Sequence, residues 1–520
     1  MRIRLSTLAL SQRREASSIL WICHHFTNPG NRPDLLDMFS AFLYNHSITK
    51  AITKNLFYLK KGTTAMVTVT AASPDYRREL GEGLIQRWST LEDTENIAQL
   101  CALVFRDKED EPLNHRMMDN VRRQMSGDFP LMGPGDYALI EDKGKEGNPL
   151  VACTCLWRLE WEYEGIAFGV GQPEFVATHP DYRHRGLIRA LFAMLHARSQ
   201  AEGYLVQAIT GISHFYRQFG YEYALELEGR RVTYLSLIPK AQASTPEPYA
   251  LRAATTEDIP LLVELYNRQR SASMVWSIAS ERFWRYHIKE EKDPTVVGKQ
   301  MCVRMIVDDA GAVQGYLMVA IKRWESSLDV YALNLAAGVS WQAVVPPLLR
   351  ALHAYGMQIP AVGPDVPPFN EISYLLGSAH PVYEVLGEAL APFYEPPYAW
   401  YVRVPDVLAF LRHIAPALER RIANSTAAAY TGDLTLDFYR GGVHMVFDRG
   451  HITRIEPWRA PTYNNNADAS CPALVFLQLL FGYRSLDELR YAFPDVRVAK
   501  SQAEVLLNAL FPKKYSWVPG

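Results

Sequence analysis

Two stretches of this chain carry the same residues around a strand and the helix that follows it. Arg87 and Arg252, Thr90 and Thr255, and Glu92-Asp93 and Glu257-Asp258 all fall at one offset of 165 residues. In GLIQRWSTLEDTENIAQLCALVF the pattern runs strand, loop, helix, with Thr90 as the expected N-cap and acids Glu92, Asp93 and Glu95 in the first turn. YALRAATTEDIPLLVELYNRQ repeats it, so the chain is expected to hold two related domains in tandem. The polar AQASTPEP linker at 241–248 separates them.

The first copy continues with expected strands at Tyr137–Glu141 and Leu150–Tyr163 and a strand entering Phe175–Thr178. A helix from about Gly186 to Gln200 follows, its apolar face made by Leu187, Ile188, Leu191, Met194 and Leu195. Then come a strand at Tyr204–Thr210, a short helix over Ser213–Gln218 and a strand after Gly220. The second copy reads GVSWQAVVPPLLRAL where the first reads DYRHRGLIRAL. Its Pro346 and Pro347 are expected to break into the helix start, and with no arginines or turn glycine there it is expected to bind no cofactor. From Pro405 the texture changes to a helix, a hairpin with turns at Gly441-Gly442 and Arg449-Gly450, and apolar helices. The expected divisions are an extension over 1–83, disordered or outside the fold, an α/β domain over 84–240, a degenerate copy over 247–404 and an α+β domain over 405–520.

With 54 Lys and Arg against 56 Asp and Glu, the chain lacks the basic excess of a nucleic-acid binder. Its six cysteines are scattered, with one close pair at Cys153 and Cys155; packing is the expected role, and no metal is expected. No apolar run is long enough to span a bilayer and no secretory signal is evident, so stable membrane insertion is not expected and the expected location is the cytoplasm. Residues 1–65 carry nine Lys or Arg against three acids. A flexible basic tail and a true start at Met66 explain them equally.

The chemistry concentrates in EFVATHPDYRHRGLIRALFAMLHARSQAEG, a strand, a basic turn and a helix with glycine at its first turn. Unpaired N–H groups and the positive dipole end of such a helix suit a phosphate, and Gly186 keeps the approach clear. From His179 to Arg198 there are four Arg and three His against the single acid Asp181. On charge pattern alone a solvated basic edge reads equally well.

The order of Pro180, Tyr182-Arg183, Arg185-Gly186-Leu187, helix, strand and FYRQFGYEYA at Phe215–Ala224 resembles the GNAT acetyltransferase superfamily. The resemblance implies acetyl-CoA as co-substrate. Val176, Ala177 and Thr178 would offer backbone groups to the acetyl carbonyl and pantetheine arm. Arg183, His184, Arg185, Gly186, Leu187, Ile188 and Arg189 would cradle the phosphates, with Gly211 and Ile212 also at the cofactor. Ile188 departs from the Gly or Ala that many members carry. Tyr216 would be the acid beside the thioester sulfur; a phenol is protonated at neutral pH. Glu174 and His214 are both candidates for the base.

The whole plan resembles the enhanced intracellular survival (Eis) family of N-acetyltransferases: two tandem GNAT-type mixed-sheet domains, the second degenerate, then a sterol carrier protein-like α+β domain. This implies transfer of acetyl to a primary amine of a cationic acceptor such as an aminoglycoside, a polyamine or a lysine-like amine. It also implies a homo-oligomer, with a hexamer as the family's assembly, and a terminal carboxylate, here that of Gly520, serving as base. Two other readings stay open: a lipid-binding module, with Phe476, Leu477, Leu480 and Phe481 around an apolar ligand, and an acetyl-CoA-sensing scaffold without turnover. Glu160, Glu162 and Glu164 would suit a cationic amine, but alternate as a solvated strand face would.

Overall fold

The structure, a computed structural model, describes residues 70–520 except 107, 109, 242–245, 291–300, 324, 364, 462–465 and 520. The reading of residues 1–65, the start at Met66 and Gly520 lie outside the described residues. In chain order the first elements are β1 (Arg77–Gly81), β2 (Leu84–Trp88), α1 (Thr94–Val104), α2 (His115–Met125), β3 (Tyr137–Asp142), β4 (Leu150–Tyr163), β5 (Ile166–Thr178), α3 (Leu187–Ala201), β6 (Val206–Ile209) and β7 (Glu222–Leu227). Next come β8 (Arg230–Tyr234), β9 (Tyr249–Ala253), α4 (Ile259–Tyr266), β10 (Val275–Ser277), α5 (Glu281–Glu290), β11 (Met301–Asp308), β12 (Val313–Ala320), β13 (Ser327–Leu335), α6 (Trp341–Gln358), β14 (Glu371–Tyr374), α7 (Val382–Leu390), β15 (Phe393–Glu395) and β16 (Tyr398–Arg403). The last stretch holds α8 (Val407–Ala423), β17 (Gly432–Asp437), β18 (Gly442–Asp448), β19 (His451–Trp458), β20 (Ala469–Ser470), α9 (Ala473–Leu480), α10 (Leu486–Ala492), β21 (Arg497–Val498) and α11 (Ser501–Leu510).

The repeat is carried into three dimensions. Arg87 donates to both carboxylate oxygens of Asp93 at 2.8 and 2.7 Å while Thr90 N–H donates to Asp93 at 2.8 Å. Arg252, Asp258 and Thr255 reproduce those three bonds at the same distances. Each carboxylate thus closes a capping box and anchors the preceding strand, which is why the same three residues recur.

The strands form mixed sheets. The first runs β1-β2-β3-β4-β5-β6-β16-β7, with β10 added beside β4; the second runs β15-β8-β14-β13-β12-β11-β9. Two strands cross the sequence divisions. β16, from the end of the second copy, lies between β6 and β7, whereas β8, from the end of the first, lies between β14 and β15. The two sheets are therefore completed by reciprocal exchange. Residues 70–83 also belong to the fold rather than to an extension: β1 pairs with β2, and Trp88 Nε1 donates to Ala71 O at 2.9 Å. The strand RRELG is exposed and polar, so it lacks the alternation by which a strand is recognised.

α6 runs straight through Pro346 and Pro347, contrary to the expected break. Two missing N–H donors leave the helix continuous because Val344, Val345, Leu348, Leu349 and Leu352 are buried in the second sheet's core. The final region has a five-stranded sheet, β19-β18-β17-β20-β21, and its helices share one core with the first sheet, Phe410 and Phe481 packing around Tyr163 and Phe168. Tyr163 Oη donates to Leu480 O at 2.6 Å.

Candidate active site

The site begins where β5 parts from β6. The two pair in parallel only at Val170–Val206 and Gly171–Gln207; by Ile209, β6 is paired with Tyr401 of β16 on its other side. The end of β5 is thereby left with β4 alone, and a wedge opens in mid-sheet. The register of β4 on β5 slips between Cys153 and Cys155, opposite Ala177 and Glu174, and Phe175 takes a positive φ of 52°. This bulge re-aims the strand at the wedge. Val176 is half-buried against the Phe192, Ile209, Tyr216, Tyr221 and Tyr401 cluster, Ala177 is fully buried, and Thr178 Oγ1 is buried without a hydrogen-bond partner among the described residues.

Below the wedge lies the basic turn. Buried Tyr182 fixes it, donating from Oη to Asp142 at 2.5 Å, with the Lys145 and Arg185 cations 4.9 and 5.2 Å from its ring centre. His184 and Gly186 have φ of 65° and 75°, and a Cβ on Gly186 would meet nothing within 4 Å. Glycine is needed there for its left-handed backbone rather than for space. Gly186 caps α3 without a side chain, and the first helical bond is Ala190 N–H to Gly186 O, so the N–H groups of Leu187, Ile188 and Arg189 precede the ladder. Leu187 is buried beneath the turn; Ile188 is half-buried. At the matching end of α6, Ser340 Oγ already accepts from Ala343 N–H at 3.3 Å.

The positive field is narrower than a count of charges implies. Arg183, His184, Arg185 and Arg189 are exposed around the helix start, Arg185 paired with Glu82 at 3.1 Å and Arg189 bonded to Gln218 at 3.1 Å. Arg198 points away, 3.3 Å over the Trp88 ring and bonded to Gly135 O at 2.7 Å. His196 is held neutral: burial, then the Arg403 charge, pushes it down to about 3.

Tyr216 begins the short helical turn Tyr216–Phe219 rather than sitting inside a helix from Ser213. It is 3% exposed, stacked on Phe192, with its ring against Gly211, whose φ of 133° no larger residue adopts comfortably. Burial, then the Glu174 charge, raises its pKa well above the ordinary phenol value. Ile212 is 67% exposed. The next residue, Ser213, shares a hydrogen bond with Tyr398 Oη at 3.0 Å, and Tyr398 shares one with Tyr223 at 2.6 Å. Tyr398 reaches this loop because of the strand exchange, which local periodicity does not encode. His214 is exposed and left-handed, its N–H donating to Tyr223 at 3.3 Å.

Glu174 is the carboxylate whose charge bears on Tyr216. Gln172 Nε2 donates to its Oε1 at 2.7 Å, and burial outweighs that bond, raising it to about 7. Gln172 in turn lines a cavity of about 1100 Å³ between the sheets, walled by Trp157, Tyr204, Tyr286, Glu160, Glu226 and Glu228 among others. Residues 515–519 line it too. Glu160 and Glu162 of β4 and Glu164 of the turn after it do not form one solvated face. Glu160 lines the cavity, Glu162 is 1% exposed and paired with Arg270, and Glu164 pairs with Arg421 at 3.0 Å and Lys514 at 2.7 Å. Their partners lie more than a hundred residues away, beyond any strand-local reading.

Residues 86–224 match a family model described as an acetyltransferase (GNAT) domain. A search of curated proteins found no match. Among solved structures, a GCN5-related N-acetyltransferase from Kribbella flavida superposes with a TM-score of 0.56 at 18% identity, over 83% of this chain and 97% of that one. A probable N-acyltransferase from Enterococcus faecalis gives 0.56 at 13%, over 83% and 96%. Eis1 from Mycobacterium abscessus gives 0.50 at 14%, over 84% and 99%. At these identities the superpositions show a shared fold. The family match makes residues 86–224 a GNAT-type acetyltransferase domain, and the protein is an acyltransferase.

Proposed function

We propose that the protein transfers the acetyl group of acetyl-CoA to a primary amine of a cationic acceptor, with the pyrophosphate on the start of α3 and the thioester in the β5–β6 wedge. The observation that carries this is the meeting, at one wedge, of an open helix N-terminus ringed by Arg183, Arg185 and Arg189 with buried Tyr216. The acceptor nitrogen attacks the thioester carbonyl, forming N–C while C–S breaks. Its proton passes to Glu174, and the departing thiolate takes one from Tyr216. A carboxylate near 7 is partly ionised at neutral pH, and a phenol held above its ordinary range keeps its proton until the sulfur needs it. Backbone groups of Val176–Thr178 would polarise the acetyl oxygen.

The acceptor would enter from the cavity. Glu160, Glu226 and Glu228 supply negative charge, and burial followed by the Glu395 and Asp329 charges raises Glu228, a site where an ammonium relieves repulsion. The aromatic walls suit a cation as well. The sterol carrier-like reading of the last region is supported by its α+β architecture; the apolar gap beside Phe438 and Phe476 measures only about 10 Å³, and Phe476, Leu477, Leu480 and Phe481 are plain core. The lipid-binding alternative gains no support there.

Thiol release from acetyl-CoA, measured with polyamines, aminoglycosides and lysine peptides, tests the proposal. Release with cationic amines is expected. Binding of acetyl-CoA without release on any amine would replace transfer by sensing.

A further inference from the structure

Gln172 has no role in the reading above, yet it both lines the cavity and bonds the carboxylate. Its side chain is buried at 3% exposure, lines the cavity wall, and donates from Nε2 to Glu174 Oε1 at 2.7 Å. The two lie on one face of β5, two residues apart, just before the bulge at Phe175. A buried amide so placed satisfies one carboxylate oxygen and fixes the rotamer of the other.

We propose that Gln172 is a positioning residue for proton removal: by occupying Oε1 of Glu174 it leaves Oε2 as the single oxygen that takes the acceptor's proton, and it favours the ionised form. This rests on Glu174 being the base. The groups that bear on the Glu174 carboxyl are the Gln172 amide and the Phe175 N–H from β5, Cys155 from β4, and Tyr216 from across the wedge. Of these only the two N–H donors favour ionisation; Cys155 and Tyr216 are themselves held protonated at neutral pH. Removing the amide therefore has one direction: the base protonates more readily.

The test is the pH profile of kcat/KM in the full-length protein for wild type, Gln172→Leu, Gln172→Met and Glu174→Gln. Gln172→Leu is expected to move the acidic limb to higher pH by about one unit, the worth of one hydrogen bond to a charged group, so that activity below the limb falls about tenfold. KM for acetyl-CoA should stay within about twofold, since the amide faces the cavity rather than the cradle. A pure packing role would lower kcat at every pH and leave the limb in place. If Glu174→Gln abolishes the limb while both Gln172 variants keep it at the wild-type position, Gln172 has no positioning role although Glu174 remains the base. If Glu174→Gln leaves the limb intact, the base assignment fails and this inference falls with it. Gln172→Met, unbranched and of similar length, keeps the comparison available should the leucine variant misfold.

Discussion

Tyr216 shows how one side chain is prepared by its surroundings. Phe192 stacks on it, Gly211 leaves room beside it, and burial with the nearby Glu174 charge keeps it protonated through the neutral range. Tyr216→Phe keeps the ring and removes the proton. We expect kcat to fall about 10²-fold or more while the calorimetric affinity for acetyl-CoA is retained; an unchanged kcat would leave the phenol a packing residue. The same residues show how far the sequence could be read. FYRQFGYE singled out Tyr216, because that run is local. It gave no preference between Glu174 and His214: the difference is burial, with Glu174 raised to about 7 and His214 exposed, and burial depends on strands distant in sequence.

The start of α3 is the element on which the proposed cofactor seat depends. Gly186 has a φ of 75° with open space around it, so Gly186→Ala should cost about 1 kcal/mol in stability without filling the phosphate position. Gly186→Glu adds bulk and negative charge at that place. We expect acetyl-CoA affinity to drop at least about tenfold in the glutamate variant and less than about threefold in the alanine variant, with circular dichroism unchanged in both. Equal losses would mean that backbone geometry, not charge, governs the site. α3 was legible because its apolar positions repeat at helical spacing. α6 was misread, since two prolines in sequence argue for a break that buried neighbours on both sides override. β1 was missed because its exposed residues carry no apolar alternation.

At the scale of the whole molecule, the exchanged strands decide what can fold alone. Residues 70–240 lack β16, so β6 and β7 would each lose the partner that joins them. That fragment is expected to aggregate or to lose near-UV ellipticity, whereas residues 70–519 should not. A cooperative unfolding transition in the shorter fragment would contradict the exchange as a stabilising feature. Glu164, at the β4–β5 turn, ties the sheet to the last region through Arg421 and to residues before the terminus through Lys514. Burial opposes its charge, but the two cations prevail and hold it below the ordinary carboxylate range. Its contribution is therefore complete above that ordinary range and is lost as pH falls through the lowered value. Glu164→Ala should lower stability by on the order of 3 kcal/mol at pH 7, seen in denaturant midpoints, and the gap to wild type should narrow in acid. The tandem plan was visible in the offset of 165 residues; the crossing of β8 and β16 was not, since pairing between strands so far apart leaves no local trace.

In the proposed function, acetyl-CoA seats on the α3 cradle with its thioester in the wedge beside Tyr216. Calorimetric titration of acetyl-CoA into the wild-type protein and Arg185→Glu measures this most directly. Saturable binding near one equivalent per chain, weakened at least about tenfold by the charge reversal, is the predicted result. Binding of equal strength to both proteins would place the cofactor elsewhere and remove the basis of the account.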